Sequence, residues 1–205
     1  MNFEFTEVFN WRAAFRGMRN PLKSWDKGDS GWDYDKEGNK IFSIQPKDLE
    51  LARKLIKGGS EHRKFLRQII ISADITAPRY WWSEFDTYKI GTSANSESTM
   101  HKLGTYWLTR QDFEKELVWD ECLEYLNKMI AAYRNEPDQE KKNIMFESLK
   151  GFLPEAFLQK RTICVNYEVA YHIYCQRKHH RLDCWKSFCT WCVRLPNWEI
   201  LFGGI

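Results

Sequence analysis

The stretch from Arg161 to Arg194 constrains the fold most. It carries apolar and aromatic residues throughout, among them Ile173, Trp185, Phe188, Trp191 and Val193. It reads as one long helix or two consecutive helices, closed by Pro196. Five of the six cysteines fall in it: Cys164, Cys175, Cys184, Cys189 and Cys192. The first residues, MNFEFTEVFNW, show no basic stretch leading into an apolar core, so no secretory signal is expected. The thiols are therefore expected to be reduced, in a cytoplasmic protein, and most of them to be small buried side chains.

Upstream, Pro and Gly mark the other elements. Thr6 to Arg19 reads as a helix with Val8, Phe9, Ala13, Phe15 and Met18 apolar, and Asn20-Pro21 ends it. Ser24 to Asn39 is polar and glycine-bearing, a surface loop. Its Asp33-Tyr34-Asp35-Lys36-Glu37-Gly38 run lacks the terminal glutamate and helix pair of a calcium loop. Pro46 to Lys57 is a helix with a Leu/Ala/Ile face, stopped by Gly58-Gly59. Phe65 to Ile75 fits strand or helix, with Ile69-Ile70-Ile71 favouring a strand. Pro78 stands near a helix start. Thr109 to Arg134 reads as the clearest helix, with Thr109 and Asp112 in a capping arrangement. A shorter helix spans Asp138 to Lys150.

In a chain of 205 residues, 10 Trp, 9 Tyr and 13 Phe are enough for a real core. One domain over residues 1–205 is expected, with an N-terminal helix and loop over 1–45 and a core over 46–205. The net charge of +3 is too mild for a protein that coats nucleic acid, so nucleic acid is not the expected partner. The basic run Arg177-Lys178-His179-His180-Arg181 reads as a solvated helix end. No apolar run approaches the roughly 18 residues that a membrane span needs.

Chemistry concentrates in one place. Tyr88-Lys89-Ile90-Gly91-Thr92-Ser93-Ala94-Asn95-Ser96-Glu97-Ser98-Thr99-Met100-His101 joins a cation, hydroxyls and amides with few apolar side chains. Such a loop suits a phosphate or sugar, although its composition alone describes many surface loops. Asn166 and Arg177, eleven residues apart and close to three whole turns, share one helical face, with Thr162 and His180 near the same stripe. The expected site is thus the segment from Tyr80 to His101 facing the stretch from Asn166 to His180. His180, Cys184, Cys189 and Cys192 have zinc-binding atoms but no standard spacing, so no metal is expected. His62 beside Glu61 reads as structural. No nucleophile elbow, Walker loop or dinucleotide fingerprint is present.

The order of these features resembles the flavin-dependent thymidylate synthases. Glu61-His62 precedes Arg79-Tyr80-Trp81-Trp82, which matches the R-Q-W of that family's R-Q-W-x-R-H-R run. Ser83-Glu84-Phe85 then stands where R-H-R is expected. Aligning Thr87-Tyr88-Lys89 there instead keeps one cation. Asn95 and Ser98 occupy the N and second S of S-x-N-E-x-S-x-R-Y, while Ser96, Met100 and His101 replace its Glu, Arg and Tyr. Asn166 fits the late Asn, and Leu182 to Ser187 covers the family's A-Q-x-E-I-R without its Arg.

The resemblance implies an α+β fold, helix-rich with a small sheet, and FAD as cofactor. It implies a nucleotide or nucleotide-derived ligand and a homo-oligomer with shared sites. Lys89, Arg177 and Arg161 would meet phosphate. Thr92, Asn95 and Ser98 would bond sugar or base, and Trp81, Trp82 or Tyr88 would stack on a ring. Arg79, His101, Asn166 and His180 complete the expected ligand-binding set. The missing arginines weaken thymidylate synthesis more than the fold. The alternative is a non-enzymatic, phage-type protein that sequesters a signalling nucleotide of host immunity.

Overall fold

The structure, a computed structural model, describes residues 1–204; the side chain of His101 lies outside the described residues. Helices and 3-10 turns take up 51% of the chain. The elements are β1 (Asn2–Phe9), α1 (Trp11–Gly17), β2 (Gly31–Tyr34), β3 (Lys40–Ser43), α2 (Pro46–Lys57), β4 (Ile70–Pro78) and α3 (Arg79–Phe85). They continue with β5 (Thr92–Ser96), α4 (Thr99–Lys102), α5 (Asp120–Asn135), α6 (Gln139–Phe152), β6 (Leu158–Asn166), α7 (Tyr167–Arg177), α8 (Asp183–Val193) and α9 (Trp198–Phe202). The main sheet has the order β1-β4-β6-β5, and β2 and β3 form an antiparallel hairpin. The fold is helix-rich α+β with a small sheet, as expected.

The chain packs as two compact units. Unit 1 comprises residues 1–2, 75–87 and 95–162, and unit 2 residues 3–74, 88–94 and 163–205. Unit 1 is centred on Leu103, Phe113, Leu126, Ile130, Leu149 and Phe157, all buried. In unit 2, Trp11 meets Tyr167 edge-on at 5.1 Å and stacks on Phe42 at 5.8 Å. Tyr171 stacks on Phe202 at 4.3 Å.

Several elements match the sequence reading. The helix Pro46–Lys57 forms with Pro in its first turn and buries Ala52 and Ile56. The ambiguous stretch resolves into a 3-10 turn, Lys64–Gln68, followed by strand β4. Along β4 Ile71, Ala73, Ile75 and Ala77 are buried in strict alternation, the mark of a strand with one face in the core.

Three expectations change. The helix placed over Thr6 to Arg19 is strand β1 followed by α1. Asn10 makes the corner at φ +69°, a left-handed conformation that Asn tolerates. The helix placed from Arg161 onward begins only at Tyr167. Before it, Ile163 and Val165 are buried while Thr162 and Cys164 are exposed, so the period is two. The branched side chains of Thr162, Ile163 and Val165 suit that strand. After it come two helices, α7 and α8.

The helix placed from Thr109 starts only at Asp120. The Thr109–Asp112 capping box exists, but it caps a single 3-10 turn. Tertiary contacts override the helical pattern beyond it. Glu114 N–H donates to Ala156 O at 2.8 Å, and Phe113 bridges to Phe157. Lys115 and Glu116 are driven to positive φ.

The polar stretch from Ser24 to Asn39 contains β2 and the turn of the β2–β3 hairpin. Asp35 accepts from Asn39 N (2.7 Å), Asn39 Nδ2 (3.0 Å) and Glu37 N (3.0 Å), closing its turn. The Asn39 bonds hold the Asp35 carboxyl below its ordinary value.

Candidate functional site

Unit 2 brings Tyr88 to Arg177, 89 residues further along the chain, with His180 close by. Tyr88 OH donates to Gln176 Oε1 at 2.8 Å and accepts from Arg177 Nε at 3.0 Å. The Arg177 guanidinium lies 4.4 Å from the Trp185 ring centroid, a cation–π distance. His180 stands 6.1 Å from the same ring and accepts from Leu182 N–H through Nδ1 at 3.2 Å. Trp185 itself is fully buried, so the guanidinium rests on a fixed ring. Gln176 Nε2 lies 3.0 Å from His172 Nε2, which extends the polar row by one turn of α7.

Asn166 is the N-cap of α7, not a mid-helix residue: its Oδ1 accepts from Val169 N–H at 3.0 Å. The shared helical face proposed for Asn166 and Arg177 therefore does not exist, because α7 starts one residue after Asn166. Asn166 is instead the wall against which the preceding loop closes. Gly91 sits at φ +79°, where a Cβ would stand 2.7 Å from Asn166 Nδ2 and 3.1 Å from Val169 Cγ2. Only glycine fits both the angle and the approach. Gly91→Val is expected to cost at least about 1–2 kcal/mol from the backbone alone. A chemical denaturation midpoint unchanged from wild type would contradict this. Thr92 holds the same turn through Oγ1, which donates to Tyr88 O at 2.6 Å. Lys89 is exposed one residue from Tyr88.

Unit 1 holds the other expected residues. Trp81 and Trp82 are fully buried, and Trp81 stacks on Phe85 at 4.9 Å. Both are core side chains, which removes them as surface platforms for a ligand ring. Trp82 Nε1 donates to Gln159 O at 2.9 Å. The Arg161 guanidinium lies 4.3 Å over the Trp82 ring, and its Nη1 donates to both Asp86 oxygens at 2.9 and 3.1 Å. Arg79 donates to Leu153 O at 3.0 Å and pairs with Glu155 at 3.3 Å. Asn95 is exposed on β5, and Ser98 precedes the short helix α4. The crevice beside Ser98 measures about 10 Å³, room for about one water. His101 lies within α4, and its side chain is outside the described residues.

Sequence reasoning missed Gln176, His172, Trp185 and Glu168. The spacing of 172 and 176 on one helix was a readable signal; the convergence of Trp185 on Arg177 was not, because it depends on how α7 and α8 pack. Glu168 is buried and pairs with both Arg63 and Arg67.

Among the described residues no group of three His, Cys, Asp or Glu side chains is arranged to hold a metal ion. Burial pushes the Cys189 thiol up to about 11 and raises Cys192 well above its ordinary value. Cys164 and Cys175 are exposed, whereas Cys184, Cys189 and Cys192 are buried. Thiol titration of the native protein is therefore expected to modify Cys164 and Cys175 first, with the three buried thiols reacting only on unfolding. Rapid labelling of Cys192 in native buffer would contradict the packing of α8.

No helix among the described residues is long and apolar enough to cross a membrane. No family model matches the chain, and no curated protein gives a significant match. Solved structures do. The chain is similar to the flavin-dependent thymidylate synthase ThyX from Helicobacter pylori complexed with FAD and dUMP, with a TM-score of 0.66 at 15% identity. The match covers 99% of this chain and 98% of that one. A second structure of Helicobacter pylori ThyX with FAD and dUMP gives the same values. This likeness establishes the fold: the chain is built on the architecture of ThyX.

Proposed function

We propose that this chain is a divergent flavin-dependent thymidylate synthase-like protein that binds a nucleotide or nucleotide-derived ligand at the Tyr88–Arg177 cluster of unit 2. One observation carries the proposal. A guanidinium is fixed between the Trp185 ring and the Tyr88 hydroxyl, on a fold that holds FAD and dUMP in the Helicobacter pylori enzyme. Arg177 and Lys89 supply positive charge for a phosphate, Tyr88 a ring edge, and Thr92 and His180 polar groups for sugar or base. FAD is the cofactor that the fold supports. Within unit 2 the same donors, Arg177, Lys89 and Tyr88, fit one phosphate and one ring of it. When bound, a flavin supplies hydride-transfer chemistry. The resemblance extends the proposal to a homo-oligomer, which light scattering would read directly.

A second reading has its own support. Where the family keeps R-H-R this chain has Ser83-Glu84-Phe85, and Phe85 is buried. Arg79 and Arg161 are engaged by Glu155 and Asp86. Those arginines are thus held by carboxylates, which favours binding without turnover by a phage-type sequestering protein.

Calorimetry with dUMP and with FAD, beside an assay for methylation of dUMP, separates the two readings. Binding of dUMP or FAD weakened about tenfold or more in Arg177→Ala supports the site, since that is one charge-assisted contact. Binding without turnover selects the second reading. Affinity unchanged in Arg177→Ala would remove the site.

A further inference from the structure

We infer that unit 2 carries a second ligand site, a basic pocket around Arg19 that binds the phosphate groups of a small molecule. It is built wholly from residues 12–54, and none of its residues belongs to the Tyr88–Arg177 cluster. Failure here therefore leaves the proposed function standing.

Two cavities share Arg19. The larger, of about 720 Å³, is lined by Arg19, Ser24, Lys27, Lys47 and Lys54, with Glu50 its one carboxylate. The smaller, of about 400 Å³, adds Arg12, Arg16 and Trp25. Lys27, Lys47, Lys54, Arg12 and Arg16 are exposed. So many cations around one hollow repel one another, and a bound anion relieves that repulsion.

Two further carboxylates nearby, Asp48 and Asp29, are already used. Asp48 accepts from Arg19 Nε (2.7 Å) and from the Asp29 and Ser30 N–H groups (3.1 and 2.8 Å). Asp29 in turn accepts from the Lys47 and Asp48 N–H groups at 3.0 Å each. Neither is left to neutralise the lysines.

Two buried polar atoms point to a missing partner. Ser24 is 9% exposed, and its Oγ makes no hydrogen bond. Arg19 is 5% exposed; its Nη2 is 2.6 Å from Asp48 Oδ1 but makes no hydrogen bond of good geometry. Buried polar atoms are rarely left so, and a phosphate oxygen satisfies a hydroxyl and a guanidinium together. The hollow is concave and not a stripe along the surface, which suits a small molecule and not a nucleic-acid backbone. Trp25 lies in the adjoining cavity, half exposed, with its indole N–H donated to Asn20 Oδ1 at 2.8 Å. A held indole beside a phosphate site assigns it a ring of the ligand, as in a nucleoside polyphosphate.

Calorimetry of the full chain with inorganic tripolyphosphate and with ATP tests this. Both are expected to bind saturably. Lys47→Glu with Lys54→Glu is expected to weaken both by about tenfold or more. Lys141→Glu with Lys150→Glu, the same charge change at exposed residues that line neither cavity, is expected to leave affinity within about twofold, because an exposed charge that does not touch the ligand is largely screened. Ser24→Ala is the discriminating variant: it removes an unsatisfied hydroxyl, so Tm holds or rises while tripolyphosphate affinity falls. No saturable binding, or equal weakening by the α6 pair, overturns the pocket. Unaltered affinity in Ser24→Ala overturns the role of that hydroxyl. Equal affinity for both probes, unchanged in Trp25→Ala, overturns the assignment of Trp25.

Discussion

Asp48→Ala is expected to destabilise the protein by about 3–5 kcal/mol, the usual result of leaving one member of a buried ion pair alone. Asp48 and Arg19 are both buried, and the carboxylate also receives two backbone N–H groups. Removing it strands a guanidinium and opens the turn that leads into α2. The carboxyl is shifted as well. Burial alone would raise it, but the Ser30 backbone and side-chain bonds and the Arg19 bond outweigh burial and hold it below 3.8. A depressed folded-state value means that the contribution is complete above about 3.8 and fades as pH falls through the lower folded value. Urea melts at neutral pH should therefore show the full gap between wild type and Asp48→Ala, and the gap should narrow only below about pH 4. A gap that is small at neutral pH would mean that Arg19 finds another partner.

Trp185→Ala is expected to cost about 3–5 kcal/mol, the range for truncating a buried Trp. Its ring meets Phe188 at 5.8 Å, His180 at 6.1 Å and Tyr88 at 6.3 Å, with the Arg177 guanidinium on its face. Trp185→Phe keeps most of that volume and should cost far less. It also offers Arg177 a weaker face, so nucleotide affinity should fall even where Tm changes little. If Phe restores Tm and leaves affinity intact, the stacking of Arg177 does not serve the ligand. If Ala leaves Tm unchanged, the packing of α8 against α7 through Trp185 is wrong.

The fold was legible wherever a local signal agreed with the packing. Pro46 and Gly58-Gly59 bracket a helix in sequence and in space. The Ile-rich stretch gave its strand, though not its starting residue. Errors arose where two periods compete. Thr162 to Val165 precedes a real helix with no proline or glycine between them, and the one local mark of the change from strand to helix is the N-cap residue Asn166. Thr109 to Asp112 begins as a helix should, and contacts made by Phe113 and Glu114 with distant residues stop it.

The site was legible in part. Tyr88, Arg177 and His180 were named from sequence and do converge. Trp81 fitted a family motif, and its burial was invisible because a Trp at a motif position and a Trp in a core look the same in sequence. The partners of Arg161 and Arg79, Asp86 and Glu155, lie in other segments, which no spacing rule connects.

The position of β5 at one end of the main sheet has a consequence for solubility. A terminal strand presents unpaired backbone groups to any other chain that can lie beside it. Here that strand is five residues long and reads Thr-Ser-Ala-Asn-Ser, all but the first residue exposed. It has little β-branched or aromatic surface to drive a neighbouring chain into register. The same polar run thus guards this edge of the sheet against growing from molecule to molecule.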